Sequence, residues 1–180
     1  MEFGDKPFEF KRTNILIQTE RLLLRPISLS DAKVIFKTFT SSVARHMTPK
    51  PAQNISETEE FIRNAINAFE EGRDIQLVIE KASEFLGLIG LHSRKGHKTP
   101  EIGLWLKEEA WGFGYGYESV LAIIDWARNN IFLDEFVYPV DKKNERSKRI
   151  PLRLGAKLIS EYKGQRGWAE DLEIEEYRFR

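Results

Sequence analysis

The stretch Glu101–Val120, EIGLWLKEEAWGFGYGYESV, decides most of what the sequence predicts. It joins a short apolar run to a turn containing Gly112, Gly114 and Gly116, and the turn opens into an amphipathic helix. Such a turn directs several backbone N–H groups at one point, where the helix dipole also favours negative charge. The stretch therefore predicts a site for a phosphorylated ligand or cofactor.

Two common phosphate-binding fingerprints do not fit this turn. A P-loop needs Lys followed by Ser or Thr directly after its glycines, whereas Gly116 is followed by Tyr117 and Glu118. The dinucleotide fingerprint needs a third glycine three places after the second, and that place is Tyr117. A tight turn with only a structural role is the plain alternative, although three alternating glycines at a helix start cost conformational entropy.

The bulk composition is that of one globular domain. The chain has 180 residues, of which 41% are hydrophobic and 31% charged. Its 28 Lys and Arg balance 28 Asp and Glu, which argues against a broad electrostatic contact with nucleic acid or acidic lipid. The chain has no cysteine, which excludes disulfides, thiolate catalysis and a Cys-bound metal. His46, His92 and His97 are too scattered in sequence to suggest a metal site.

The N-terminal segment predicts an extension in front of a single domain. Residues 1–14 are polar and aromatic without a secretory core, and the sequence contains no apolar run of membrane-spanning length. We expect one domain over residues 15–180, a cytoplasmic location, no membrane or nucleic-acid partner, and a monomer or homodimer.

The hydrophobic patterns predict an α+β domain, an α/β sandwich around a mixed sheet. The predicted order is strand, two helices, three strands, helix, strand, helix and two strands, which is not the strict alternation of a dinucleotide fold. Ser30 and the Ser56–Glu59 spacing predict the caps of the first two helices. Residues 93–100 are predicted to be loop, and Pro151 is expected to kink or break the helix that follows Asn144.

The glycine turn and the run before it carry a family resemblance. Residues 111–116, WGFGYG, resemble the Gln/Arg-x-x-Gly-x-Gly/Ala loop of the GNAT superfamily of N-acetyltransferases, with Trp111 in place of Gln or Arg. That departure is familiar from the ribosomal-protein N-acetyltransferase-like branch (RimJ/RimL type). Residues 101–106, EIGLWL, resemble the strand that precedes the loop in this branch.

Two further segments extend the resemblance over about residues 15–180. Residues 141–147, DKKNERS, and residues 154–156, LGA, resemble the branch's Asn-x-x-Ser and Leu-Gly-Phe/Ala segment at the usual spacing. Residues 19–26, TERLLLRP, resemble its opening strand. The resemblance implies the GNAT-like acyl-CoA N-acyltransferase fold, a mixed and mostly antiparallel sheet with helices on both faces.

The resemblance also implies acetyl-CoA as co-substrate, without a metal. The pantetheine arm of CoA would enter a gap between strands 101–106 and 136–140, where a backbone N–H near Leu106 would polarise the thioester carbonyl. The residues implied to line the arm are Trp105, Leu106 and Lys107, with a hydrogen bond from Asn144. The residues implied to hold the pyrophosphate are Gly112, Phe113, Gly114, Tyr115, Gly116 and Tyr117.

Two residues are candidate catalytic groups by the same resemblance. Ser147 would protonate the departing thiolate, and Glu101 would accept the proton of the amine, directly or through water. Each has a plain alternative: Ser147 could merely face solvent, and Glu101 could be a surface charge at a strand start. Asn144 could likewise be a plain helix cap.

The function implied is acetyl transfer from acetyl-CoA to a primary amine in a ternary complex, without a covalent enzyme intermediate. The amine could belong to a protein N-terminus or to a small molecule, and residues 45–54 and 93–100 are expected to border its site. Pro151 and the lack of an unambiguous base leave a second hypothesis, a non-catalytic CoA-binding regulatory module. A third is a nucleotide-binding protein that uses the same loop.

Overall fold

A computed structural model describes residues 15–94 and 97–180, so the extension predicted for residues 1–14 lies outside the described residues. Within the described residues, eight strands form one sheet in the order β1-β2-β3-β4-β5-β6-β8-β7. The strands are β1 Ile17–Gln18, β2 Leu23–Pro26, β3 Asp74–Lys81, β4 Glu84–Arg94, β5 His97–Leu106, β6 Phe136–Asp141, β7 Lys157–Gly164 and β8 Leu172–Phe179. The helices are α1 Ala32–Thr38, α2 Ile55–Glu70, α3 Tyr115–Asn130 and α4 Glu145–Arg153.

The sheet is mixed and mostly antiparallel, as predicted. The strands β5 and β6 form its parallel pair, and the other neighbouring strands pair antiparallel. Helices α1 and α2 cover one face through Ile35 and Ile62, which pack with Val78 and Leu88 of the sheet. Helices α3 and α4 cover the other face, where the α3 residue Ile124 lies in the larger apolar cluster. The prediction of helices on both faces is confirmed.

The predicted caps of the first two helices are wrong. A 3₁₀ turn at Leu29–Asp31 precedes α1, and Ser28 caps that turn instead of Ser30. Asn54 caps α2, because its side chain accepts a hydrogen bond from the N–H of Glu57 at 3.1 Å. Asn is as good an N-cap as Ser, so the helix begins slightly earlier than the Ser-based pattern indicates.

The loop predicted for residues 93–100 is also wrong. Strand β4 continues to Arg94, and β5 already begins at His97. The polar side chains here find partners on neighbouring strands: the N–H of Ser93 donates to Asp74 at 3.0 Å, and Arg94 pairs with Glu101 at 3.1 Å. Polarity therefore does not mark a loop in this hairpin, because the strands extend beyond the apolar core.

Helix α4 continues through Pro151 to Arg153, so the predicted break before Leu152 does not occur. Proline removes one helical N–H, but the N–H of Leu154 still donates to the carbonyl of Ile150 at 3.2 Å. The helix is also fixed to β8, because Nζ of Lys148 lies 3.1 Å from Oε2 of Glu175, a side chain that is largely buried.

Asp31 anchors the start of α1 to the sheet. Its two carboxylate oxygens accept hydrogen bonds from Arg25 of β2 at 2.7 and 3.0 Å, and the N–H of Ser28 donates to it at 2.8 Å. Burial by itself would raise the pKa of Asp31, but the hydrogen bonds from Arg25 and Ser28 outweigh it and hold this pKa below its ordinary value. The folded protein therefore favours the ionised carboxylate.

We expect Asp31→Ala to lower the free energy of unfolding by about 2 kcal/mol, because Arg25 keeps Glu80 but loses its two hydrogen bonds to Asp31, and the N–H of Ser28 loses its acceptor. The stabilisation from the carboxylate is present above the ordinary Asp pKa of about 3.9 and is lost as pH falls through the lower folded value. Urea unfolding at pH 7 and at pH 3 measures both effects. The control is Asp125→Ala, at an exposed ion pair, with an expected loss below about 1 kcal/mol. Equal losses in the two variants would contradict the anchor role.

Candidate active site

The two parallel strands separate along their length. Strands β5 and β6 share a single register pair, Glu101 with Val137, which lies inside β5 and near the start of β6. Beyond this pair the strands run to Leu106 and Asp141 without further pairing. A gap therefore opens in the sheet toward the carboxyl ends of both strands, at the place that the family resemblance implies.

The β5 edge of this gap presents backbone polar groups. The N–H of Lys107 donates to the carbonyl of Leu86 on β4 at 2.8 Å. Because backbone groups alternate between the two edges of a strand, the N–H groups of Leu106 and Leu104 point away from β4 and into the gap. The carbonyl of Leu106 already accepts a hydrogen bond from the indole of Trp111 at 2.8 Å. The Leu106 N–H is thus a candidate donor to a carbonyl oxygen placed in the gap.

The β6 edge carries a proline at the matching place. The N–H of Lys142 donates to the carbonyl of Glu173 on β8 at 2.7 Å, so by the same alternation Pro139 lies with its backbone nitrogen toward the gap. Because proline has no N–H, the separation of the strands creates no unpaired N–H group at residue 139. The sequence is therefore suited to an open edge at this point of β6.

The glycine loop stands at the open end of the gap and begins α3. Gly112 and Gly114 have φ angles of 87° and 80°, a left-handed conformation that favours glycine. Gly116 serves packing instead, since a Cβ there would lie 3.1 Å from Leu104 and α3 could not approach β5 as closely. Gly114 is the N-cap and brings no capping side chain, so the first N–H groups of α3 face the loop.

Three guanidinium groups surround the loop although the whole chain has no net charge. Arg21 donates to the carbonyl of Phe113 at 3.1 Å and pairs with Glu118. The guanidinium of Arg146 lies 5.3 Å from the ring centroid of Trp111, and that of Arg153 lies 4.1 Å from Tyr117. A cavity of about 900 Å³ adjoins the loop between residues 17–21 and α3, and both Gly114 and Arg153 line it. Because Arg21 is paired with Glu118, and Glu20 and Asp125 also line the cavity, the positive charge that favours a bound anion is confined to Arg146 and Arg153.

The side chains predicted to line the pantetheine arm point in different directions. The Trp105 ring lies on the α1/α2 face, with centroids 4.9 Å from Phe39 and 5.8 Å from Phe85. The side chain of Leu106 packs on the α3 side, and Nζ of Lys107 lies 2.6 Å from Glu84. Only the backbone of this segment faces the gap.

Asn144 and Ser147 lie at the start of α4 beside the gap. Oδ1 of Asn144 accepts a hydrogen bond from the N–H of Ser147 at 3.2 Å, which confirms the predicted helix cap. Oγ of Ser147 lies 2.9 Å from the hydroxyl of Tyr138 on β6. Burial raises the pKa of Tyr138 to about 12, so its phenol stays protonated. Tyr138 was not predicted from the sequence, because no motif links it to Ser147, which lies nine residues later.

Glu101 lies at the closed end of the gap on the α1/α2 face. Its Oε2 accepts two hydrogen bonds from Arg94, at 3.1 and 3.2 Å, and Arg94 also donates to Glu176 at 2.7 Å. Burial raises the pKa of the nearby Tyr162, and the carboxylates of Glu101 and Glu176 raise it further. Two carboxylates thus share one guanidinium, and the cluster carries one net negative charge.

The α1/α2 side of the gap is bordered by residues 39–48, which we term the strap. On the β6 side of the strap, Nδ1 of His46 lies 2.5 Å from Oδ2 of Asp141. The connection between β7 and β8 closes over it, since Trp168 donates to the carbonyl of Thr48 at 2.9 Å. The predicted border at residues 45–54 thus lies partly in the strap. The His46–Asp141 pair was missed because its members are 95 residues apart in sequence.

Within residues 15–94 and 97–180, no group of His, Asp or Glu side chains is placed to hold a metal ion. In the same part of the chain, no helix combines the length and the apolar character needed to cross a bilayer.

Residues 21–157 match the acetyltransferase (GNAT) domain family. An uncharacterised N-acetyltransferase of Bacillus subtilis, YoaA, is 27% identical over 166 residues, with 88% of this chain and 94% of that protein covered. The fold is similar to that of RimL, a ribosomal L7/L12 α-N-protein acetyltransferase solved with CoA, at a TM-score of 0.80, 18% identity, and 92% and 97% coverage. It is also similar to MccE, a microcin C7 self-immunity acetyltransferase solved with acetyl-CoA and AMP, at 0.79, 20% identity, and 89% and 93% coverage.

The fold similarity agrees with the open gap, the glycine loop and the Asn144–Ser147 helix start. The family match supports a transferase in preference to a regulatory module. The chain therefore belongs to the acetyltransferase (GNAT) domain family and is an acetyl-CoA-dependent N-acetyltransferase.

Proposed function

We propose that this protein transfers the acetyl group of acetyl-CoA, bound in the gap between β5 and β6, to a primary amine that enters from the α1/α2 side. The observation that carries the proposal is the separation of β5 and β6 directly in front of the glycine loop. The gap connects the two faces of the sheet, so a thioester and an amine could meet there from opposite sides. Direct transfer then needs no covalent enzyme intermediate.

The glycine loop would bind the pyrophosphate of CoA. The residues proposed to hold it are Gly112, Phe113, Gly114, Tyr115, Gly116 and Tyr117, through backbone N–H groups at the start of α3. Arg146 and Arg153 would add positive charge beside those amides and would compensate for the absence of a cationic side chain at residue 111.

The pantetheine arm would run along the free edge of β5. The backbone of Trp105, Leu106 and Lys107 is the proposed contact, together with the side-chain amide of Asn144, whose Oδ1 is already engaged in the helix cap. The N–H of Leu106 would donate to the thioester carbonyl as negative charge develops on its oxygen. Because this donor is fixed by the strand, it needs no reorganisation during the reaction.

Ser147 would protonate the thiolate that leaves. Its hydroxyl is hydrogen-bonded to the neutral phenol of Tyr138, which would orient it and could resupply the proton. A positioned proton donor of this kind typically contributes a factor of about 10² to 10⁴ in rate.

Glu101 would act on the acceptor side. The net negative charge of the cluster with Arg94 and Glu176 would attract the ammonium form of the amine. The role of Glu101 as acceptor of the amine proton, directly or through water, stays a prediction. Because Oε2 of Glu101 accepts two hydrogen bonds from Arg94, we expect attraction to be its larger contribution.

We expect Glu101→Gln to raise the KM for a cationic amine about fivefold, with kcat changed less than threefold. The variant removes one carboxylate charge at a partly exposed site, where an interaction of about 1 kcal/mol is typical. Steady-state rates at pH 7 give both constants, and Glu161→Gln on the exposed strand β7 is the control. A fall in kcat that grows as pH is lowered would instead identify Glu101 as the base.

The acceptor is a protein N-terminus or a small-molecule amine, and a panel of amines tests the proposal. Release of free CoA is followed with a peptide that has a free N-terminus, the same peptide acetylated, an amino sugar and a polyamine. We expect release with at least one free amine and none with the blocked peptide, together with an acetylated product in the mass spectrum. Acetyl-CoA binding without release for any amine would favour the regulatory module.

We propose a cytoplasmic protein that is a monomer or homodimer, without a nucleic-acid or membrane partner. Light scattering on the eluted protein, with and without acetyl-CoA, determines the oligomeric state.

A further inference from the structure

The strap joins the ends of the two separated strands across the mouth of the gap. On the β5 side, the Phe39 ring contacts Trp105, and Oγ of Ser42 donates to Glu108 at 2.5 Å. On the β6 side, His46 contacts the last residue of the strand, Asp141. The imidazole of His46 therefore lies on the β6 side of the mouth of the gap.

The partner of His46 is fixed and buried. The Asp141 side chain is 3% exposed, and its Oδ1 lies 3.3 Å from the N–H of Lys143, which leaves Oδ2 for His46 at 2.5 Å. When Nδ1 of the imidazole donates to this carboxylate, Nε2 carries the free lone pair. Among the described residues, no side chain or backbone group is hydrogen-bonded to this Nε2, and the His46 side chain is 28% exposed.

The strap is held from the opposite side as well. Arg166 donates to the carbonyl of Arg45 at 2.9 Å, and Trp168 donates to the carbonyl of Thr48 at 2.9 Å. Both belong to the connection between β7 and β8. The backbone on both sides of His46 is therefore held in place, and its ring is held by Asp141.

We infer that Nε2 of His46 accepts the proton of the acceptor amine and that Asp141 is the positioning residue that orients the ring. The inference rests on the proposed function and deepens it. Glu101 then keeps the role of attracting the ammonium ion at the closed end of the gap. A carboxylate that holds an imidazole in one tautomer is a recurrent arrangement for a general base.

The proton balance of the step is complete. His46 takes one proton from the ammonium ion and passes it to water, which leaves a neutral amine. The nitrogen lone pair attacks the thioester carbonyl carbon, a C–N bond forms and the C–S bond breaks. Ser147 gives its proton to the leaving thiolate, and the nitrogen then loses a second proton, which restores the Ser147 hydroxyl through water. The products are the acetylated amine, free CoA and one proton released to water.

His92 forms a second His–Asp pair and provides the matched control. Its Nδ1 lies 3.5 Å from Asp74, a longer and more exposed contact. Its ring lies over Gly90 and Gly103, where a Cβ on either glycine would stand 2.9 Å from Nε2. The His92 ring therefore packs against the backbone of the sheet and does not lie at the mouth of the gap.

Charged residues of neighbouring segments contact the strap around His46. Asp141 of β6 contacts the His46 ring itself. Arg166 of the β7–β8 connection is bonded to the carbonyl of Arg45, and Glu108, which follows β5, is bonded to Ser42. The test therefore compares how rates change with pH and does not rely on an absolute value.

The test measures kcat from pH 6 to pH 10 for the wild type, His46→Gln and His92→Gln, with a peptide whose free α-amine has a pKa of about 8. We expect His46→Gln to be slower by about a hundredfold at pH 6.5 and by less than about fivefold at pH 9.5, because the amine is then already neutral. His92→Gln should show the profile of the wild type. Asp141→Asn should show the same pH-dependent loss as His46→Gln, but smaller.

A second variant covers the case in which His46→Gln does not fold. His46→Ala leaves room for a ring, so added imidazole should raise the kcat of this variant at least about tenfold at pH 6.5. Calorimetry should give an unchanged affinity for acetyl-CoA. A loss of equal size at every pH, no loss, or no rescue by imidazole would overturn the inference while an active wild type upholds the proposed function. No acetyl transfer by the wild type would defeat the proposed function itself.

Discussion

Gly114→Glu is expected to lower the affinity for acetyl-CoA by at least about a hundredfold. The substitution places a negative charge where the pyrophosphate is proposed to bind, and a Cβ at Gly114 lies 3.7 Å from Arg21. The new carboxylate would therefore repel the ligand. Calorimetric titration of acetyl-CoA into the variant measures the change.

The chain offers a matched control for the backbone strain of this variant. Gly155, just after α4, has a φ of 73° and open space around it, so Gly155→Glu adds the same side chain in the same left-handed conformation. Each variant should lose about 1 to 2 kcal/mol of stability from that conformation. Acetyl-CoA should bind to Gly155→Glu within about threefold of the wild type. Equal loss of affinity in both variants would mean that strain, and not the loop, explains the result.

Ser147→Ala is expected to lower kcat by about a hundredfold while the affinity for acetyl-CoA stays within about threefold. The variant removes only the hydroxyl, because the cap of α4 uses the backbone N–H of Ser147, which remains. Without the hydroxyl the thiolate must leave unprotonated or take its proton from water. Steady-state rates with a saturating amine, together with calorimetry, separate kcat from binding.

Tyr138→Phe is the companion measurement. It leaves the Ser147 hydroxyl in place but removes its hydrogen-bond partner, so we expect a loss of about three- to tenfold. Because the pKa of Tyr138 is raised to about 12, this loss should be the same from pH 6 to pH 9. A Ser147→Ala variant within threefold of the wild-type kcat would show that the thiolate leaves without help from this residue.

The fold could be predicted largely because its signals are local. Each signal determines the structure of residues close to it in sequence. Examples are the apolar runs of β3, β4 and β5, the glycines before α3, and Asn144 before α4. The errors arose where polar residues had partners elsewhere: Arg94 reaches Glu101 and Glu176, so a polar segment extends a hairpin instead of forming a loop. Pro151 is likewise tolerated inside a helix fixed by other contacts.

The candidate site was predictable only in part. The loop glycines and the Asn144–Ser147 pair follow from short motifs. Tyr138 beside Ser147 and Asp141 beside His46 do not, because these contacts depend on how strands and helices pack. The scattered histidines of the sequence indicated no site, whereas the fold places His46 beside Asp141 at the end of β6.

The most direct test of the account is a calorimetric titration of acetyl-CoA into the purified protein, with ATP and NAD as controls. We expect saturable binding of acetyl-CoA at one site per chain, with little or no heat from ATP or NAD. The bound protein should also release CoA when a suitable amine is added. Equal binding of ATP and acetyl-CoA, or no binding of acetyl-CoA, would contradict the assignment of the gap and the glycine loop to this cofactor.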